Sequence, residues 1–272
     1  EIPWSLVGSE MCIRDSRDVS HYTDLASVGN AKIKYVFETH FHADFISGHL
    51  TLSNLTNSDI VYGPNANPDF PCVIAKDNEE FKIGNVTITV LHTPGHTLES
   101  SCYLLKDEDG MEHCLFTGDT LFLGDVGRPD LAQKDMHMTK EELAGILYES
   151  VNNKIKPLPE NILIYPGHGA GSACGKNMMK ETVDTLKNQK DINYVLNGSL
   201  SKEEFITELT HDLQEPPSYF PSNVQLNKEG YDDLSSILKK SKQSLSVEEL
   251  ENASKEKGVV ILDVRQQSDF AS

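Results

Sequence analysis

The sequence predicts an α/β enzyme, and three observations carry that prediction. From Asp18 onward, β-rich runs alternate with amphipathic helical ones. Four of the β runs lead, at their carboxyl ends, into residues that can bind a metal: His40/His42/Asp44, His96, Asp119 and His168. Active sites of α/β folds gather on such strand-end loops above a rigid scaffold. The chain has 272 residues, 38% of them hydrophobic, enough for the core of one large domain or two modest ones.

A short amphipathic helix spans Val19 to Val28 and stops near Gly29. Ile33 to Glu38 (IKYVFE) is β-rich and runs directly into THFHAD. Apolar spacing predicts a helix over Ile46 to Leu55, followed by the strand IVYG and a Pro- and Asn-rich loop over Gly63 to Pro71. FKI and VTITVL flank Gly84-Asn85 as a hairpin whose second strand leads to TPGH. Ser100 to Lys106 and Glu112 to Thr117 flank DEDG as another hairpin, which leads to GDT. A helix begins at Thr139, where Glu142 completes a capping box, and ILIY (162–165) is a strand leading to PGH. Helices are expected over Asn177 to Asn188 and Ser201 to Leu213, the second capped by Ser201 with Glu204. Glu215 to Asn223 reads as extended, and KSKQSLS as a linker. Ser246 to Ala253 starts a new capped helix, and VVILDVR reads as a buried strand.

Lys and Arg number 24 against 42 Asp and Glu, a formal charge of −18. A chain this acidic lacks the footprint of a nucleic-acid binder and is repelled by anionic lipid. No stretch reaches the roughly 18 apolar residues of a membrane-spanning helix. Neither nucleic acid nor membrane is an expected partner. The five cysteines form no CxxC pair, a sparse, odd count that fits a reducing compartment. With no basic n-region and apolar run at the start, a cytoplasmic location is expected. Residues 6–16, LVGSEMCIRDS, have no periodicity and, back-translated, resemble a sequencing-library adapter. Residues 1–16, with Cys12, are therefore read as an artefact outside the fold.

His40-x-His42-x-Asp44 after a strand turns three ligand-type side chains to one side of an extended segment. Imidazole with carboxylate suits zinc, iron or manganese rather than a thiolate-type structural site. Singly, His96 and His168 are weak signals, and Asp119 alone reads as a cap. Together they complete a mixed His/carboxylate centre. Arg128 is either a carboxylate clamp or a surface arginine in a turn. His21, His49, His92, His113, His137 and His211 have no partner pattern, so solvent-facing or capping roles are their default.

THFHAD, TPGHT, GDTLF and YPGHG, in this order, resemble the motif set of the metallo-β-lactamase superfamily, an αββα sandwich. THFHADFISGH, GDVGRPDL, PGHGAGSACGK and EPPSYFPSNVQLN resemble one branch of it, the persulfide dioxygenases fused to a rhodanese domain. The resemblance implies a metallo-β-lactamase-like domain over 17–238 lacking its N-terminal strands. A linker at 239–245 and a truncated rhodanese-like start at 246–272, including Asp263 and Arg265, would follow.

The resemblance implies one Fe(II) on His40, His96 and Asp119 with open positions, zinc being the alternative metal. His42, Asp44 and His168 would stand beside it, orienting ligands and bound water. The sequence leaves open whether His42 coordinates. Arg128 would clamp the carboxylate of a thiol cofactor. Cys174 would be either a persulfide-handling thiol or a bystander. The implied reaction oxidises a low-molecular-weight persulfide, such as glutathione persulfide, with O2 to sulfite, and a homodimer is the implied assembly. In two-metal hydrolytic members a histidine follows the Asp of HxHxD, whereas here it is Phe45, which favours a mononuclear centre. The alternatives are a glyoxalase II-type zinc thioester hydrolase and a non-catalytic sulfur-binding module.

Overall fold

Alternation along one short strand sets the layering. In β1 (Tyr35–Phe37), Tyr35 and Phe37 face one way and Val36 the other. The computed structural model describes residues 17–131, 138–241 and 244–262. β1, β2 (Asp59–Tyr62) and β3 (Val73–Ile74) form a parallel sheet in that order. The second sheet runs β4 (Glu80–Ile83), β5 (Val86–His92), β6 (Ser101–Lys106), β7 (Glu112–Gly118), β8 (Leu163–Pro166) and β9 (Asp184–Thr185). Its pairings are antiparallel except β7 with β8, which is parallel.

The sheets pack face to face through Val61, Phe81, Val90 and Tyr103, joined by Tyr35, Phe37 and Phe116. Phe37 lies with ring centroids 5.5 Å from Phe81 and 4.9 Å from Tyr103, separations typical of edge-to-face and tilted aromatic pairs. The outer face of the first sheet, Val36, Ile60 and Tyr62, packs against Leu50 of α2 (His49–Thr56) and Val224 of a later helix. The outer face of the second sheet offers Leu91, Cys102, Leu104, Leu115 and Ile164 to Leu147 of α3 (Lys140–Ser150), Leu186 of α4 (Leu186–Ile192) and Phe205 of α5 (Lys202–Thr210). Period-two alternation on two adjacent sheets thus yields helix, sheet, sheet, helix. The αββα expectation holds.

Caps at Thr139 and Ser201 form as full capping boxes with Glu142 and Glu204. Two expected elements change. The helix expected over 177–188 is replaced by an irregular segment, β9 and α4. The Asp125 carboxylate accepts the backbone N–H groups of Lys176 and Asn177, each at 2.7 Å, and Met179 N–H donates to Leu123 O, which tethers this backbone elsewhere. The segment expected to be extended over 215–223 enters α6 (Phe220–Glu229), because Pro221 sits in the first turn, where its missing N–H costs nothing. α1 (Ser20–Val28) forms as expected, while α2 and α5 are shorter than their apolar spacing suggests.

The chain divides after Tyr231 into two compact units. The second contains α7 (Leu234–Ser241) and α8 (Val247–Ala253), so part of the expected linker is helical. Val259 to Leu262 adopt no strand, and the rest of VVILDVR, with Asp263 and Arg265, lies outside the described residues, as do residues 1–16 and His137.

Candidate metal centre

Four strand ends converge on one spot. β7 and β8 run parallel with Gly118 opposite Pro166, and Gly167 N–H donates to Gly118 O at 2.8 Å, which sets Asp119 beside His168. Gly118 has φ +49°, and a Cβ there would come within 2.7 Å of Thr39. Gly95, preceding His96, has φ +138° and no room for a Cβ against the Leu147 backbone. Both turns require glycine. β1 delivers His40, held against the second sheet by Ser101 N–H donating to Thr39 O at 2.9 Å.

His96 Nε2 lies 3.5 Å and His40 Nε2 3.9 Å from Asp119 Oδ2. His168 Nε2 lies 3.4 Å from Asp119 Oδ1 and 3.3 Å from Asp44 Oδ2. Donor atoms of His40, His96 and Asp119 fall within 4.8 Å of one another, as do those of His42, Asp44 and His168, and those of Asp119, His168 and Cys174. The ring nitrogens are aimed. His96 Nδ1–H donates to Arg128 O at 2.8 Å, which leaves the Nε2 lone pair facing the centre. His40 Nδ1 is paired with Thr39 Oγ1 at 2.9 Å. His42 turns Nε2 toward Glu38 Oε2, 3.7 Å away, and its buried Nδ1 has no hydrogen-bond partner.

Burial and the neighbouring His42, His96 and His168 hold His40 well below the usual imidazole range. Burial brings His42 down to about 3 against an opposing pull from Asp119. These rings are neutral at physiological pH, the form that ligates metals. Asp119 is 1% exposed and neither carboxylate oxygen accepts a hydrogen bond. A buried carboxylate in that state is costly unless a cation compensates it. The donor set therefore fits a divalent metal.

A family model described as the metallo-beta-lactamase superfamily matches residues 20–168. The chain belongs to the metallo-β-lactamase superfamily. It is 31% identical, over 62% of its length and 62% of theirs, to a probable hydroxyacylglutathione hydrolase of Schizosaccharomyces pombe. It is 32% identical to the mitochondrial persulfide dioxygenase ETHE1 of Bos taurus, over 64% of this chain and 60% of that protein. Among solved structures, a metallo-beta-lactamase from Staphylococcus aureus superposes with a TM-score of 0.72 at 34% identity, covering 80% of this chain and 64% of that one. The chain spans about three-fifths of the length of these relatives.

This superfamily fold brings together His40, His42, Asp44, His96, Asp119, His168 and Cys174. Cys174 is buried, and burial, with the Asp119 and Asp44 charges, pushes its thiol far up. Arg128 departs from its expected role. Its guanidinium is buried and donates through Nε and Nη2 to both oxygens of Asp130 at 2.7 Å, through Nη1 to Ala173 O, and through Nη2 to Gln214 O. Four of the five N–H donors an arginine offers are committed within the protein, so the side chain acts as a strap rather than a free carboxylate clamp. Its backbone carries the site instead: Arg128 N–H donates to Cys174 O at 3.0 Å while Arg128 O holds His96.

Three contributors carry no local sequence signal. Glu38, pushed up to about 7 by burial, accepts from Ser47 Oγ at 2.8 Å and faces His42. Asn227 Nδ2 donates to His42 O and Phe45 O, and its Oδ1 accepts from Ser47 N–H, pinning the ligand loop from a distant helix. His49, expected to be exposed or capping, is buried among Tyr62, Phe70 and Tyr231, and neither ring nitrogen has a hydrogen-bond partner.

Proposed function

We propose that this chain is an Fe(II)-dependent persulfide dioxygenase acting on a low-molecular-weight thiol persulfide such as glutathione persulfide. The supporting observation is the buried set His40, His96 and Asp119, two imidazoles and one carboxylate, the donor type of non-haem iron oxygenases. Phe45 supports it too: its ring lies tilted against the His42 ring, centroids 4.4 Å apart, and it offers no donor atom to a second metal. The likeness to persulfide dioxygenase ETHE1 points the same way.

In the overall reaction RSSH, O2 and H2O give RSH, sulfite and two protons, with four electrons passing from the sulfane sulfur to O2. Bound iron would supply oxygen activation. The protein's residues do the rest. His40, His96 and Asp119 would hold the metal, and Thr39 and the Arg128 carbonyl fix the rings of these buried ligands. Cys174 stands beside the centre, its donor atom within 4.8 Å of those of Asp119 and His168.

Anaerobically purified chain is expected to hold about one iron and to consume O2 and release sulfite with glutathione persulfide. A folded, iron-loaded chain that consumes no O2 would overturn the reading. A second reading, zinc thioester hydrolysis, is favoured by two features: His42, Asp44 and His168 form their own donor group beside Asp119, and the chain is 31% identical to a probable hydroxyacylglutathione hydrolase. Rapid hydrolysis of an acylated glutathione with two bound zinc ions would establish it.

A further inference from the structure

One side of the centre is covered by the chain that follows β8. Residues 167–183 carry no helix or strand, a run of a length that is uncommon in a compact domain unless the segment has a task of its own. Its start is fixed, Gly167 N–H donating to Gly118 O at 2.8 Å. Its later part is fixed too: Arg128 N–H donates to Cys174 O at 3.0 Å, the Arg128 guanidinium to Ala173 O, and Met179 N–H to Leu123 O at 2.9 Å. Between these anchors Ser172 N–H donates to Gly169 O and Cys174 N–H to Ser172 Oγ, bonds that stay inside the segment. A Cβ on Gly169 or Gly171 would meet nothing within 4 Å, and Gly171 has φ +99°, so the backbone has room to pivot there. Gly169, Ala170, Gly171 and Ala173 are exposed, yet Cys174 is 1% exposed and lies against Asp119 and His168.

Asp125 holds this cover down. Its buried Oδ2 accepts the N–H groups of Lys176 and Asn177, each at 2.7 Å, and its Oδ1 accepts from the Tyr194 hydroxyl at 3.0 Å and from Val126 N–H at 2.8 Å. Tyr194 in turn stacks on Phe205 of α5, so the carboxylate is braced against the helical layer. Bonds to an ionised acceptor are about twice as strong as neutral ones, and here one carboxylate carries four. The tie joins the loop after Asp119 to the loop after His168.

We propose that residues 169–177 are a lid over Cys174 and the Asp119–His168 edge of the centre, pivoting at Gly169 and Gly171, with Asp125 as the positioning residue that latches it. Opening releases the Lys176 and Asn177 amides from Asp125 and the Cys174 carbonyl from Arg128, and brings the thiol to solvent while the two sheets stay folded. The lid does not depend on which metal or which reaction the centre carries.

The test is iodoacetamide labelling of the iron-loaded full chain without air, resolved by cysteine, together with amide hydrogen exchange. Cys102 and Cys114 are fully buried in the second sheet and label only when the domain unfolds, while the partly exposed Cys72 gives the ordinary rate. Cys174 should label more slowly than Cys72 but at least tenfold faster than Cys102 and Cys114, and the Lys176 and Asn177 amides should exchange faster than those of the β6–β7 core. Asp125→Asn leaves one oxygen for four donors. It should speed Cys174 labelling and exchange at 176 and 177 at least tenfold further, with Cys102 and Cys114 unchanged. Cys174 labelling in step with Cys102 and Cys114 in the wild-type chain would overturn the lid. An Asp125→Asn variant that leaves Cys174 unchanged, or that speeds all three thiols alike, would overturn the latch. If that variant does not fold, the wild-type ranking of thiols and amides still decides the lid. Neither readout involves oxygen uptake or thioester hydrolysis, so the fate of those readings stays separate.

Discussion

Replacing Arg128 with lysine keeps the charge and removes the fork. The guanidinium makes two bonds to Asp130 and one each to Ala173 O and Gln214 O, all in a buried setting. A hydrogen bond to a charged group is worth about 1.5–3 kcal/mol, and a lysine restores one or two of the four. The net loss is about 3–5 kcal/mol, the range for breaking a buried pair. For a unit of this size that lowers Tm by roughly 6–20 °C. The loosened 128 backbone also frees His96 Nδ1, so metal affinity should fall by about 10–100-fold. Thermal unfolding with and without metal, paired with KM and kcat, reads both effects. An unchanged Tm with a raised KM and unaltered kcat would refute the strap and restore the substrate clamp.

Asp119→Asn should abolish tight metal binding yet leave the metal-free chain as stable as before, or up to about 1–3 kcal/mol more so, because it removes an uncompensated buried charge; a clear drop in metal-free Tm would count against this. Asn227→Ala should cost about 2–4 kcal/mol through three lost bonds to the 42–47 loop and speed metal release to a chelator, which stopped-flow would follow. His49 is held down to about 4 by burial. Its folded value is depressed, so its contribution is full above pH 6.5 and is lost as pH falls toward 4, up to about 3 kcal/mol. Urea unfolding of the metal-free chain should weaken over that window, and His49→Phe should flatten the decline. Glu38, raised to about 7, acts with the opposite sign, its penalty growing as pH rises from 4.5 to 7, so Glu38→Gln should steepen the loss on acidification.

What the sequence determined by itself is local. Ligand-type residues at four strand ends and capping boxes at Thr139 and Ser201 follow from short-range pattern. The fold gathers the ligand-type residues and forms both boxes. The two-sheet sandwich was implied by the family motifs rather than by strand alternation. Tertiary structure decided the rest, since it depends on partners far apart in the chain. Arg128 looked available because nothing nearby revealed that Ala173 and Gln214 would present carbonyls to it. The 177–183 stretch has helical composition, yet Asp125 captures its first amides and the helix starts only at Leu186. Asn227 reaches the His42 loop only because α6 packs on the first sheet. Residue type and spacing choose which side chains can bind a metal. Long-range hydrogen bonding and packing choose which of them share it, and which way each donor atom points.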